Sequence, residues 1–265
     1  MSSSTPAHRT RQIEGGATLD VWWTGLEAGR TELEGLAALL SADETRACRL
    51  FRFERDRRRY IVRHARLRQI MARYLNYPPI EVPVVTSPLG RPQLVGNGLT
   101  FSVSHSGEMA VFAVARGIAI GCDIERRDCR TASAEMAELF MSRSELQYWN
   151  ALPPQRQTAA FFRCWTRKEA WLKALGIGLA RPMKTFEIAR TDPPRIRDAS
   201  SGILRGWSLH DLKILPGYAA AVAARTAALR VEMRRWTRVE NWQCGDTASQ
   251  WIRGESEKRN TFAGP

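Results

Sequence analysis

The chain has 265 residues, 44% of them hydrophobic and 25% charged, with a net charge of +13 and a pI near 10.3. This is the composition of a soluble globular protein with room for one large domain or two small ones, not of a disordered or membrane-spanning chain. Only five of the 40 basic residues are lysine (Lys168, Lys173, Lys184, Lys213, Lys258), so arginine makes the field. Coding bias in the source would also enrich arginine. The field itself favours an anionic partner: nucleic acid, a polyphosphate ligand or an acidic protein. The opening "MSSSTPAHRTRQIEGG" has no apolar core, so no secretory signal is expected. No run reaches transmembrane length, because Arg116 and Gly117 break "MAVFAVARGIAIGC". Five cysteines, an odd number without C-x-x-C spacing, argue against a disulfide framework or a zinc site and fit a reducing cytoplasm.

In chain order, residues 1–17 are small and polar and are expected to be disordered. "LDVWWTG" reads as a first strand. Ser41 and Glu44 form a capping-box signature for a helix through "ADETRACRLF". A longer helix follows through "RDRRRYIVRHARLRQIMARYL", with Tyr60, His64, Leu67, Met71 and Tyr74 near one face, and Pro78 and Pro79 stop it. "TSPLGRPQL" is turn-rich. "LTFSVSHS", "EMAVFAVAR" and "GIAIGCDIE" read as three strands joined by tight turns. "SAEMAELF" is helical, and Ser142 with Glu145 repeats the capping box. "QTAAFFRCWTRKEAWLKAL" is a strong helix that ends at Gly176. "TFEIAR", "GWSLHDLKI" and "GYAAAVAAR" read as the last strands. Helices followed by a strand meander occur twice, which predicts an α+β fold rather than alternating βαβ units. The expected division is a disordered segment 1–17, an N-terminal half 18–121, a C-terminal half 122–230 and a polar tail 231–265.

Alternation in a strand puts Asp123 and Glu125 on one face and Ile124 on the other. Two close carboxylates repel unless a cation lies between them, and hard cations such as Mg²⁺ take oxygen ligands. Alone, the pair reads equally as solvated strand-end charge neutralised by Arg126 and Arg127. Trp165, Glu169 and Lys173, spaced by four, line one helical face. Glu169 thus offers a third carboxylate and Lys173 a compact ammonium. Ser104, His105, Ser106 and Gly107 form a group able to bind phosphate, and Arg91 is held between Gly90 and Pro92.

In this order and spacing, "GRP", "FSVSHS", "IGCDIE" and "FFRCWTRKEAWLKALGIGL" resemble the Sfp-type 4′-phosphopantetheinyl transferases of the holo-[acyl-carrier-protein] synthase superfamily. The resemblance spans about residues 19–225, and its last two motifs together are highly specific. Ser102 stands where the family usually has Asn, and Cys122 where it has an aliphatic residue. The resemblance implies two similar α+β halves arranged as a pseudo-dimer, each with helices on a mainly antiparallel sheet. It implies transfer of the phosphopantetheine arm of coenzyme A to a serine of an acyl, peptidyl or aryl carrier protein, with release of 3′,5′-ADP. Such reactions serve fatty-acid or secondary metabolism. Asp123, Glu125 and Glu169 would hold Mg²⁺, or Mn²⁺, and Lys173 would stabilise the departing phosphate. Ser104 and His105 would bind the 3′-phosphate, and Arg91 would lie at the nucleotide. Glu169 or Glu145 would take the serine proton, although Glu145 is equally the acid of a capping box. Glu44 and Ala47 stand where some relatives place lysines near the 3′-phosphate, which leaves Arg59 as the expected contact from the first half.

Acidic carriers suit the basic surface. A cytoplasmic monomer is expected, with no nucleic-acid or membrane partner. The alternative from another class is a basic nucleic-acid-binding protein or metal-dependent nuclease using the same charges. It lacks a zinc-finger or RNP signature, and Glu169 and Lys173 are wider apart than in an E-x-K site.

Overall fold

In the computed structural model, residues 16–87, 92–94, 96, 98–177, 181–198 and 202–236 are described. The first half runs β1 (Ala17–Gly25), α1 (Arg30–Ala37), α2 (Ala42–Cys48), α3 (Glu54–Leu75), β2 (Val84–Thr86), β3 (Pro92–Leu94), β4 (Leu99–Ser106) and β5 (Met109–Arg116). The second begins with β6 (Ile120–Arg126), α4 (Ala134–Phe140), α5 (Arg143–Asn150) and α6 (Pro154–Leu175). It ends in β7 (Phe186–Ala189), β8 (Arg195–Asp198), β9 (Gly202–Ile203), β10 (Ser208–Asp211) and β11 (Tyr218–Ala224). Each half is therefore a strand, two short helices, one helix of 22 residues and a meander. The fold is α+β in two similar halves.

A last strand, β12 (Leu229–Arg235), leaves the second half and pairs in parallel with β1, from Ala17 opposite Leu229 to Trp23 opposite Arg235. The N-terminal sheet thus has the order β12-β1-β5-β4, and the C-terminal one β10-β11-β6. This corrects the expected polar tail from 231, since Val231 and its neighbours are strand. The pattern "LRVEMRR" alternates polar and apolar residues, but its arginines hide that period. Of the expected disordered segment 1–17, only Gly16 and Ala17 are described, and Ala17 begins β1.

The two halves repeat a device as well as an order. The capping boxes at α2 and α5 form as expected, Ser41 with Glu44 and Ser142 with Glu145. Each capping glutamate also meets a buried cation from the long helix of its own half. Arg68 Nε donates to Glu44 Oε2 at 2.7 Å, and Lys168 Nζ lies 2.6 Å from Glu145 Oε2. Arg68 and Lys168 occupy the same position, fourteen residues after the first, in α3 and α6. Arg68 NH1 donates to the carbonyls of Ile80 and Val82, and Lys168 donates to those of Phe140, Met183 and Phe186. A buried charge that is paired and hydrogen-bonded in this way is tolerable, whereas losing its partner costs about 3–5 kcal/mol.

Strand alternation sorts the apolar residues into three cores. Ala110, Phe112 and Val114 of β5 face α3, while Met109, Val111, Ala113 and Ala115 face the other way. There they meet Ile120, Cys122 and Ile124 of β6 and Ala220, Val222 and Ala224 of β11, so this third core joins the two halves. Ala219, Ala221 and Ala223 face α6 instead. With Ile124 fully buried in the joining core, Asp123 and Glu125 are presented on the α6 side of β6.

Candidate active site

A strand with no side chain at one position lets a helix lie directly upon it. A Cβ on Gly121 would come 2.5 Å from the Ala174 amide nitrogen and 2.9 Å from Lys173 Cβ, and closer still to the Ala170 carbonyl. The contact brings the last turns of α6, with Glu169 and Lys173, over Asp123. Lys173 Nζ lies 2.7 Å from Asp123 Oδ1 and 3.0 Å from Ser104 Oγ, and the Ser104 hydroxyl donates to the same carboxylate oxygen at 2.8 Å. The knot therefore uses β4 of the first half and β6 and α6 of the second.

The serines of β4 form the seam between the halves. Ser102, Ser104 and Ser106 share one face. Ser102 Oγ accepts from the Cys122 amide at 3.1 Å, and Ser106 Oγ donates to Glu125 Oε2 at 2.6 Å while accepting from the Arg126 amide. The two departures from the family pattern touch each other, because Cys122 Sγ also lies 3.2 Å from the Ser102 carbonyl oxygen.

The electrostatics are those of a site short of positive charge on its acidic side. Burial raises the Asp123 carboxyl above its ordinary pKa despite Lys173 and Ser104. Burial also raises Glu169, with Asp123 and Glu125 adding repulsion and Lys173 opposing. Glu125 is raised by burial and Asp123, against the Ser106 hydrogen bond. Lys173 is lifted because Asp123, Cys122 and Glu169 outweigh its loss of water. Asp123 Oδ2 is buried with no hydrogen-bond partner. These hard oxygens and that orphaned atom fit Mg²⁺, which takes one or two carboxylates and completes its shell with phosphate and water. Among the described residues no group of three or more His, Cys, Asp or Glu side chains is placed so that it could hold a metal ion.

On the other flank, His105 at the end of β4 meets Arg63 of α3. Arg63 NH1 lies 2.6 Å from His105 Nε2 and 2.8 Å from Nδ1, and NH2 lies 3.3 Å from His64 Nε2. Partial loss of water, with the charges of Arg63 and Lys173 and the nearby His64, pushes His105 down to about 4. Its ring is neutral at physiological pH.

A profile described as the 4′-phosphopantetheinyl transferase superfamily matches residues 119–223, and one described as 4′-phosphopantetheinyl transferase, N-terminal, matches residues 24–116. The 4′-phosphopantetheinyl transferase HetI of Nostoc is 32% identical over 222 residues, which is 82% of this chain and 90% of that protein. The chain belongs to the 4′-phosphopantetheinyl transferase family. A 4′-phosphopantetheinyl transferase of Bacillus subtilis is 29% identical over 168 residues, covering 63% of this chain and 73% of that one. The transferase Sfp of Bacillus subtilis is 25% identical over 194 residues, covering 73% and 85%. The protein is thus a transferase, which decides against the nuclease reading of the same charges.

Of the residues singled out in the sequence, Ser104, Asp123 and Lys173 meet directly, with Glu125, Glu169 and His105 beside them. Glu145 is not brought to this cluster. Its carboxylate accepts from the Ser142 and Ile188 amides at 2.8 and 2.7 Å and pairs with Lys168, inside the second half. Arg59 is committed to Glu27, with both Nε and NH2 on Glu27 Oε1 and Glu108 3.6 Å away. Arg91 lies outside the described residues. The sequence did not single out Arg63, which meets His105. The available signal was its place one helical turn after Arg59 on the same basic helix.

Proposed function

We propose that the protein moves the 4′-phosphopantetheine arm of coenzyme A onto a serine hydroxyl of a carrier protein and releases 3′,5′-ADP. The observation that carries this reading is the Asp123–Ser104–Lys173 knot, which sets an orphaned carboxylate oxygen and a lysine ammonium side by side at the seam of the halves. A pyrophosphate needs this arrangement: an ammonium for its own oxygens and carboxylates for a shared cation. Asp123, Glu125 and Glu169 would hold Mg²⁺, or Mn²⁺ in its place, which when bound neutralises phosphate charge.

In the proposed reaction the serine oxygen bonds to the β-phosphorus, and the bond from that phosphorus to the bridging oxygen breaks. The electron pair leaves on the α-phosphate of 3′,5′-ADP. Lys173 donates to the phosphate oxygens as negative charge moves toward the leaving group. Glu169, raised by burial, takes the serine proton directly or through water. Ser104 and His105 orient the nucleotide end. Much of the barrier is lowered by positioning.

The arginine-rich surface supports an acidic carrier as acceptor. The four described free cysteines, Cys48, Cys122, Cys129 and Cys164, favour a cytoplasmic setting. No helix among the described residues is long and apolar enough to cross a membrane. A site completed by two halves of one chain favours a monomer. The test is to incubate the protein with coenzyme A, Mg²⁺ and apo-carrier proteins and weigh the carriers. A gain of one phosphopantetheine arm supports the reading. No gain on acyl, peptidyl and aryl carriers, together with no binding of coenzyme A, rejects it.

A further inference from the structure

We infer that the connection between α2 and α3, where Leu50, Phe51 and Phe53 stand exposed among arginines, is the surface on which an acidic carrier protein docks. The inference rests on the transferase reading above.

Leu50 is 86% exposed, Phe53 58% and Phe51 39%. Single apolar residues scattered over a surface need no partner, but three within four positions make a patch. The backbone beneath them is held at both ends. The Arg49 and Leu50 amides donate to the Arg46 and Ala47 carbonyls at 3.2 and 3.1 Å, and the Phe53 carbonyl accepts from the Asp56 and Arg57 amides at 3.1 Å. Three large apolar groups are thus kept in water by an ordered connection, and covering them with a partner's apolar surface is favourable. Because the backbone is already fixed, little ordering entropy is lost when that partner arrives.

The charge around the patch selects the partner. Residues 49–58 hold five arginines against two acids. Arg55 and Arg57 pair with Asp56 and Glu54. Arg49 and Arg52 are exposed and make no ion pair among the described residues, and the Arg52 guanidinium carbon lies 5.4 Å from the Phe53 ring centroid. Apolar side chains rimmed by such arginines fit a partner whose own apolar stripe is rimmed by carboxylates. Leu139 of α4, 67% exposed, offers the opposite surroundings: it lies one helical turn after Glu135 and directly after Glu138, both exposed. The patch also lies toward the seam. Phe51 packs on Tyr60 with ring centroids 5.1 Å apart, and Tyr60 stacks on His64 at 4.0 Å. His64 shares Arg63 with His105, the neighbour of Ser104 in β4. A carrier domain of about 100 residues, with a radius of gyration of about 13 Å, is broad enough to cover the patch and present a serine at the seam.

The experiment uses an acidic apo-carrier protein with the wild type, Leu50→Glu, Phe53→Glu, Arg52→Glu and, for contrast, Leu139→Glu. Carrier binding is followed by fluorescence anisotropy, transfer by steady-state kinetics, coenzyme A binding by calorimetry and folding by thermal melts. Leu50→Glu and Phe53→Glu are expected to raise KM for the carrier about tenfold, with coenzyme A affinity within about threefold of wild type. Arg52→Glu should do the same at low salt and lose most of its effect at about 0.5 M salt. Leu139→Glu should leave both constants within about threefold. Unchanged carrier binding in Leu50→Glu and Phe53→Glu overturns the inference, and so does an equal loss in Leu139→Glu or a matching loss of coenzyme A affinity. A wild-type dimer that Leu50→Glu splits would also overturn it, by giving the patch to a second copy of the chain. Carrier binding that depends on Leu50 and Phe53, with no mass gained by the carrier, would instead sink the transfer reaction and leave the docking surface standing.

Discussion

Lys173 Nζ lies 2.7 Å from one oxygen of Asp123, and the other oxygen of that carboxylate is buried with no partner. One ammonium thus contacts only one oxygen of a carboxyl whose pKa burial has already raised. Asp123→Asn keeps the shape and a weaker acceptor for Lys173 but removes the charge. Transfer is expected to fall at least about a hundredfold, because a preorganised charge is lost from the reacting centre. Stability should change by less than about 1 kcal/mol, since the desolvation cost of the acid disappears with it. Steady-state transfer and urea melts on the same preparation check both numbers; wild-type turnover in this variant would remove Asp123 from the chemistry.

The helix α6 holds two lysines five residues apart with opposite duties. Lys168 is fully buried against Glu145 and three carbonyls, whereas Lys173 reaches the seam. Lys168→Met and Glu145→Gln should each destabilise the protein by about 3 kcal/mol, because each strands a buried partner. The folded fraction of Glu145→Gln should still turn over within about threefold of wild type, because its partners are structural. Lys173→Met should differ by losing most turnover in its folded fraction, while also destabilising the fold, because it strands the buried Asp123 carboxylate. A Glu145→Gln protein that melts normally and transfers slowly would return Glu145 to the reaction.

Gly121→Ala tests the closeness of β6 and α6. The added methyl would overlap the Ala170 carbonyl and press on Lys173 and Ala174, all on one stretch of helix. Overpacking against backbone is expected to cost about 3 kcal/mol or more. Because the displaced turn carries Lys173, turnover of the folded protein should fall too. Thermal melts and transfer assays would expose the error if the variant were neutral in both.

Acid should act differently on the wild type and on Glu44→Gln. Burial alone would raise the Glu44 carboxyl, but hydrogen bonds from His64, the Ser41 amide and Arg68 hold it at about 2, below its usual 4.5. A carboxyl with a depressed folded pKa stabilises the fold above its unfolded pKa and loses that effect as pH falls toward the folded value. The wild type should exceed Glu44→Gln by about 2–3 kcal/mol at pH 7. The gap should shrink by more than half by pH 3. Urea titrations at the two pH values decide it, and a constant gap would mean the ionised form is not what stabilises.

What was legible in the sequence was local. Ser41 and Glu44, Ser142 and Glu145, and Gly176 with its left-handed backbone at φ 72° mark helix ends by short-range chemistry. Strand alternation put Asp123 and Glu125 on one face, and the long helix supplied Glu169 and Lys173. What escaped depended on partners distant in the chain. The commitment of Arg59 turns on Glu27 and Glu108, which come from outside α3 and pair with it. The role of Glu145 turns on Ile188, 43 residues away. The helix α1 went unread because "RTELEGLA" is interrupted by Gly35 and buries only Leu36.

The parallel pairing of β12 with β1 has a consequence for synthesis on the ribosome. The strand that closes the outer edge of the first sheet is made after the whole second half. Until residues 229–235 emerge, β1 presents a bare row of amides and carbonyls on that side, open to pairing with any extended chain nearby. The first half of this protein is therefore finished last, and a nascent chain stalled in the second half carries an unguarded edge.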